Sequence, residues 1–328
     1  MSIDIVIDFL ELKNIRYKKN ISLSEYSYFR SGGNVKLIVM PTTSEGLTDV
    51  IRLFNEEGYS YKVVGSTSNI LFLNDESYSV IISTRGLNDF NIKHEKRLTT
   101  VSAGLMIPKF SKKLSSLGYT GFEGLLGIPG TIGGAIYMNA GAFGHSMSDL
   151  LISVKIMEPD GVIKLIHRNE IDFSFRKSSF QNTGRYIIEA SFLLNTADQN
   201  YIDNQMKAHL YNRLRFQEKT LPNLGSVFST FDIYKDISRN NSIYSFLLLV
   251  IRVLYKLTKS DNNKLLNKIT CLYFGWKFKT QPYSDKTLNC IVNRGQDTKE
   301  ILEYIYTLRK IISSDVKIEN EVYVEKNV

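Results

Sequence analysis

Two short stretches hold the residue types best suited to gripping an anion. Gly65-Ser66-Thr67-Ser68-Asn69 comes directly after the apolar run Tyr61–Val64. Small residues there let backbone N–H groups approach a ligand, and the side chains of Ser66, Ser68 and Asn69 add donors. The second stretch is Gly127-Ile128-Pro129-Gly130-Thr131-Ile132-Gly133-Gly134-Ala135. Its glycines and single proline describe backbone folded tightly against a ligand, neither helix nor strand. Neither stretch matches the dinucleotide fingerprint or the Walker pattern. Each alone is also what an ordinary tight turn looks like. Two in one domain are what a dinucleotide pyrophosphate needs, with donors converging from both sides.

Few other residues announce chemistry by type and spacing. Arg176 alone reads as a surface ion pair, and Ser226, after Gly225, as a loop serine bonded to its own backbone. Glu319 and Glu321 read as the solvated face of a terminal strand. The two cysteines, Cys271 and Cys290, are too few for a disulfide framework and not spaced as a metal site, so both are expected to be apolar filler and no metal is expected.

The elements that must position these residues follow from periodicity. A buried strand is predicted over Lys36–Pro41, then a helix opened by a Thr42/Glu45 capping box, with Leu47, Val50, Ile51 and Phe54 on one face and Gly58 at its end. Strands follow at Tyr61–Val64, Ile70–Leu73, Val80–Ser83 and Leu98–Ala103, then a helix over Pro108–Leu117 closed by Gly118. Leu151–Met157 and Val162–Ile166 form a hairpin around Pro159-Asp160-Gly161, and Arg185–Leu194 is a further strand. Polar Asn195–Asn200 leads into a helix over Tyr201–Phe216. Later come a helix at Ile243–Leu257, a strand at Asn289–Val292 and a helix at Thr298–Ile312 with Ile301, Tyr304, Ile305 and Leu308 inward. A final strand, Val316–Val324, alternates: Val316, Ile318, Val322 and Val324 on one face, Lys317, Glu319, Glu321 and Tyr323 on the other.

At 328 residues with 43% hydrophobic and 23% charged, the chain is a folded globular protein long enough for two or three domains. Its net charge of +8 suits anionic ligands. No Lys/Arg block marks a nucleic-acid arm, so small phosphates are the expected partners and nucleic acid is not. The N-terminus lacks the basic and apolar regions of a signal peptide, and the most lipid-like segment, Tyr244–Ile251, falls far short of the ~20 residues of a membrane span. A cytoplasmic protein is expected.

Five motifs occur in a telling order: Tyr28-Phe-Arg-Ser-Gly-Gly33, Val64-Gly-Ser-Thr-Ser-Asn69, Gly127 through Ala135, Tyr137-Met-Asn-Ala-Gly141 and Phe173-Ser-Phe-Arg-Lys-Ser178. Together they resemble the successive signatures of the UDP-N-acetylenolpyruvoylglucosamine reductases of peptidoglycan synthesis. The likeness is dense over residues 25–195, thins, and returns near 284–324. It implies an α+β chain: a two-lobed FAD-binding domain of the vanillyl-alcohol-oxidase (PCMH) type at 25–196, after an N-terminal segment 1–24, and an α+β substrate domain at 197–328. It implies non-covalent FAD held by both glycine loops (Gly65–Asn69, and Gly127–Thr131 with Gly133, Gly134 and Ala135), NADPH as co-substrate and a UDP-sugar enolpyruvate as substrate; His145 lies in no flavin-attachment motif. In this family a hydride reaches the enolpyruvyl double bond by way of the flavin, and a proton completes the reduction. The family's arginine, serine and glutamate fall on Arg176, Ser226 in Gly225-Ser-Val-Phe228, and Glu321. Arg176 would grip the substrate carboxylate, Ser226 would supply the proton and Glu321 would assist.

The substrate domain departs from the family pattern. After Phe228 the family has a basic or amide residue and a proline; here Ser229-Thr-Phe stands, followed by an Asn/Lys-rich stretch to Pro282. Ser284-Asp-Lys-Thr287 replaces Ser-Glu-Lys-His, Asn289 survives as a candidate substrate contact, and Tyr323 stands where an arginine is usual. Residues 229–282 are expected to form a helical insertion packed on the substrate domain, with Lys235 and Arg239 as candidates for replacing the lost phosphate contacts. Two alternatives stay open: a paralogous reductase acting on another unsaturated acid or nucleotide-sugar, and a non-catalytic flavin-binding scaffold.

Overall fold

The computed structural model describes residues 3–239, 241–258 and 263–325. The chain opens with α1 (Ile3–Leu12) and β1 (Arg16–Ser22), continues through β2 (Asn34–Met40), α2 (Ser44–Glu56) and β3 (Tyr61–Val64), and reaches β4 (Ile70–Phe72) and β5 (Tyr78–Ser83). These build a four-stranded sheet of order β1-β2-β5-β3, antiparallel at β1–β2 and parallel elsewhere. β2 is buried at Val35, Leu37, Ile38 and Val39 because both faces are covered. Leu37 and Val39 meet α1 and α2 through Val6, Leu10, Leu47 and Phe54, while Val35 and Ile38 meet Leu23, Phe72 and Tyr78. The first 24 residues are therefore part of this lobe, not a separate segment: Val6 and Leu10 complete its core and β1 completes its sheet. The cap of α2 is Thr43, whose Oγ1 accepts from Gly46 N at 3.0 Å, one residue beyond the expected Thr42.

The second lobe comprises β6 (Phe90–Lys93), β7 (Leu98–Ser102), α3 (Ile107–Ser115), α4 (Ile132–Tyr137), β8 (Leu151–Met157), β9 (Ile163–His167) and β10 (Tyr186–Leu193). Its antiparallel sheet has the order β9-β8-β10-β7-β6, and its core joins Phe110, Phe122, Ile132, Ile136, Val154 and Phe192. The latter half of the second glycine stretch is helical after all. Thr131 caps α4 by accepting from Gly134 N, and Gly133 lies against Ala103, so the glycines serve close packing as well as turning. Helix α5 (Gln199–Phe216) follows and packs on the second lobe, against Glu123–Leu125 and α3, so a cut at residue 196 separates it from the lobe that it touches.

The remainder forms the third core: β11 (Asn223–Ser226), α6 (Ile233–Ser238), α7 (Ser242–Thr258), α8 (Lys264–Tyr273), β12 (Tyr283–Ser284), β13 (Thr287–Val292), α9 (Thr298–Arg309) and β14 (Glu321–Tyr323). Its sheet order is β11-β13-β12. The region 229–282 is largely helical, and its Tyr234, Tyr244, Leu248, Ile251 and Leu266 share one cluster with Leu288, Ile301, Tyr304 and Leu308. The chain end departs from expectation in two ways. Only Glu321–Tyr323 forms a strand, which pairs in parallel with β4 of the first lobe. Val316 is buried as expected, but from Ile318 onward the alternation runs in the opposite sense: Ile318, Val322 and Val324 are exposed, whereas half-buried Glu319 and Glu321 line a cleft. Alternation tells which residues share a face, and here the inner face is the wall of a polar cleft.

Candidate active site

The cleft, about 1010 Å3, runs between the two glycine stretches and the substrate domain. Each predicted loop residue lines it: Gly65, Ser66, Thr67, Ser68 and Asn69 on one side, and Gly127, Ile128, Pro129, Gly130, Thr131, Gly133, Gly134 and Ala135 on the other. The loops touch directly, since Ser66 Oγ donates to Pro129 O at 2.6 Å and a Cβ on Gly65 would lie 2.2 Å from Thr131 Oγ1. Gly127 is glycine because of a protein neighbour: a Cβ there would lie 2.2 Å from Arg213 Cδ. Gly134 differs. A Cβ on it would meet only Thr131 Oγ1 at 3.4 Å and would otherwise enter the cleft. Across from it Thr67 holds φ at 59°, which turns successive N–H groups toward one side in the manner of an anion-binding nest. Among the described residues no backbone acceptor takes the N–H of Thr67, Ser68 or Asn69. A flat cofactor with a pyrophosphate fits this cradle.

Three distant parts of the chain meet at the other end. Arg176, held in the left-handed region at φ 54°, donates from Nε to Glu319 Oε2 at 2.9 Å and from Nη1 to Gly141 O at 3.0 Å. Ser226 is exposed to the cleft at the end of β11. Glu321 pairs with Lys62 of β3, whose ammonium also lies 4.9 Å from the Tyr323 ring. What joins these residues is the segment 317–321. Ser229 N donates to Lys317 O and Glu319 N to Val227 O, both at 2.8 Å, which lays the segment alongside Ser226. On its other side Asn69 Nδ2 donates to Glu319 O and Glu321 N to Asn69 O, both at 2.9 Å. The Gly65–Asn69 loop and the serine strand are thus stitched to one another through the two glutamates' own backbone.

Burial pushes the Glu319 carboxyl above its ordinary range, and the Arg176 charge pulls it partly back. Arg213, 3% exposed, donates from Nη2 to Gly124 O at 2.8 Å; burial, with Arg176 adding, lowers it to about 10, so it stays cationic at neutral pH. Burial pushes the Cys290 thiol up to about 12, with the Glu218 charge adding, and raises that of Cys271, which leaves both as inert neutral thiols. Among the described residues no group of His, Cys, Asp and Glu could hold a metal ion.

The remaining candidates fall elsewhere. Asn289 does not reach the cleft: its Oδ1 accepts from Phe228 N and its Nδ2 donates to Phe228 O, each at 2.8 Å, so it clamps the segment carrying Ser226. Lys235 and Arg239 lie on the solvent side of α6, because Ile233, Tyr234 and Ile237 turn its other side into the core. Arg239 is spent on Asp236 at 3.1 Å. Lys62, Arg213 and the inward role of Glu319 were not foreseen. A lone cation on a strand or helix has no spacing signal, although Glu319 two residues before Glu321 placed it on the same face.

Residues 35–166 match the FAD binding domain family. A UDP-N-acetylenolpyruvoylglucosamine reductase from Pseudothermotoga lettingae is 36% identical over 221 residues, covering 67% of this chain and 73% of that protein. One from Trichormus variabilis is 34% identical over 223 residues, covering 68% and 67%. The chain belongs to this family. It is an FAD-binding flavoprotein oxidoreductase of α+β fold. The fold extends past the aligned portion: the crystal structure of UDP-N-acetylenolpyruvylglucosamine reductase from Thermus caldophilus superimposes with a TM-score of 0.68 at 23% identity, covering 94% of this chain and 99% of that one. Among the described residues no helix is long and apolar enough to cross a membrane.

Proposed function

We propose that this protein reduces the enolpyruvyl group of UDP-N-acetylglucosamine enolpyruvate to give UDP-N-acetylmuramate, with NADPH as reductant, in peptidoglycan precursor synthesis. The observation that supports this most is the convergence of Arg176, Ser226 and Glu321 on the cleft that the two glycine loops also line. Bound there, FAD supplies the relay of a hydride from NADPH to the substrate. The N–H groups of Thr67, Ser68 and Asn69, with the open face at Gly134, are placed to hold its pyrophosphate.

The chain's own residues supply what the hydride alone does not. Arg176 takes the substrate carboxylate, leaving Glu319, and its charge stabilises the electron density that hydride addition puts on the neighbouring carbon. Ser226 gives that carbon its proton, so hydride and proton together saturate the double bond. A serine hydroxyl is a weak acid, but the carbon it protonates is far more basic, and the clamp of Asn289 on Phe228 fixes its approach. Glu321, held by Lys62, stands beside the same space and assists the transfer. Phosphate contacts are assigned to cations that line the cleft, Lys219 among them, in place of Lys235 and Arg239.

The test is anaerobic. NADPH-reduced protein is mixed with UDP-N-acetylglucosamine enolpyruvate and the flavin absorbance is followed. Rapid reoxidation with formation of UDP-N-acetylmuramate is expected; a flavin that stays reduced would overturn the assignment.

A further inference from the structure

Helix α7 is apolar on both sides. Tyr244, Leu248 and Ile251 bury one side in the substrate-domain core. The opposite side carries Ile243, Phe246, Leu249, Val253, Leu254 and Leu257, between 48% and 75% exposed. At about 100° per residue these span an arc of roughly 140°, into which Ser242 of the first turn is the one polar residue to fall. Lys256 stands just outside its edge. Helix α8 packs beside α7, with Tyr244 Oη and Thr270 Oγ1 2.7 Å apart and Leu266 N donating to Tyr255 Oη at 3.1 Å. It adds Leu272, 79% exposed, and exposed Lys268. Both helices bury their inner sides in one cluster, so both outer sides look away from it. A contiguous apolar face of this kind on a soluble domain marks a surface that something covers.

Charge says what kind of surface covers it. Residues 229–282 contain seven Lys, two Arg, three Asp and no Glu, a net +6 out of the chain's +8. Two of the acids are already engaged: Asp232 by Arg252 and Asp236 by Arg239. A second copy of the chain would bring like charge against like across the face. A surface that is apolar beneath and anionic above accepts it. We propose that α7 seats this protein on the interface of an anionic phospholipid bilayer, lying in the plane with its apolar arc among the acyl chains and the surrounding lysines against the head groups. At 17 residues the helix is too short to span, and as an in-plane element it joins the apolar and cationic signals that make peripheral attachment durable. This is independent of the reaction catalysed.

The full-length holoprotein is sedimented with extruded vesicles of phosphatidylcholine alone or mixed with phosphatidylglycerol. Binding to the mixed vesicles, weakened by salt, is expected. The triple variant Phe246→Ser, Leu249→Ser, Val253→Ser should bind at least roughly tenfold more weakly. Its flavin absorbance should be unchanged, because those side chains already face outward. A charge variant, Lys256→Glu with Lys268→Glu, leaves the apolar arc intact and should also lose binding to the mixed vesicles. Failure to sediment with anionic vesicles at low salt would overturn the proposal, as would equal binding to both vesicle types. So would a wild-type dimer that the triple variant turns into a monomer, since a second copy would then be what covers the face.

Discussion

Replacing Asn289 separates a clamp from a substrate contact. The side chain is 6% exposed and makes two hydrogen bonds of 2.8 Å with the backbone of Phe228, two residues beyond Ser226. Asn289→Ala removes both bonds at once and leaves the buried Phe228 N–H without a partner, while the Phe228 C=O keeps its bond from Thr230 N at 2.9 Å. The orphaned N–H costs about 1–3 kcal/mol, and the lost bond to the C=O is worth about 1 kcal/mol more. A loss of roughly 2–4 kcal/mol in unfolding free energy is therefore expected from urea denaturation of the holoprotein. Loosening of the Ser226 strand should slow flavin reoxidation by substrate, while reduction by NADPH and the KM for the UDP-sugar change little. A variant of unchanged stability with a KM raised tenfold or more would refute this account and restore Asn289 as a substrate ligand.

Other perturbations test other parts of the cleft. Gly134→Val should empty the flavin site without unfolding the chain, since its side chain would enter the cleft and meet protein only at Thr131; flavin content per folded protein measures this. Substrate binding should take up a proton, because drawing Arg176 away leaves Glu319 with burial alone, which favours its neutral form. Calorimetry in buffers of different ionisation enthalpy should show that uptake, and Glu319→Gln should abolish it. Burial would raise the Glu218 carboxyl, but hydrogen bonds from Ser284, from Thr220 through hydroxyl and N–H, and from Leu221 N hold it at about 2 instead of the ordinary 4.5. Its stabilisation is present above pH 4.5 and lost as pH falls toward 2; the stability gap between wild type and Glu218→Gln, on the order of 1 kcal/mol after solvent screening, should close over that interval.

Much of the scaffold was legible because short-range rules fix it. Tyr61–Val64 ends in the glycine loop as expected, and Ile301, Tyr304, Ile305 and Leu308 form the buried stripe of α9. What failed was the choice between faces. Periodicity alone sends Glu319 and Glu321 to water, because apolar Ile318 and Val322 share the alternate positions; a functional cleft reverses that preference, and only the resemblance brings Glu321 to it. Lys235 and Arg239 were assigned to the ligand on charge alone, although Ile233 and Ile237, four apart, already showed which side of α6 turns inward. The pairing of Glu321 with Lys62, 259 positions earlier, lies beyond any local pattern.

The central claim is that Ser226 serves the second half of the reaction only, and stopped-flow absorbance of Ser226→Ala tests it. Reduction of the flavin by NADPH should proceed at the wild-type rate, while anaerobic reoxidation by UDP-N-acetylglucosamine enolpyruvate should slow by about 10²–10⁴-fold, the usual worth of one positioned proton donor. Equal slowing of both halves would make Ser226 a flavin or structural contact and contradict the mechanism.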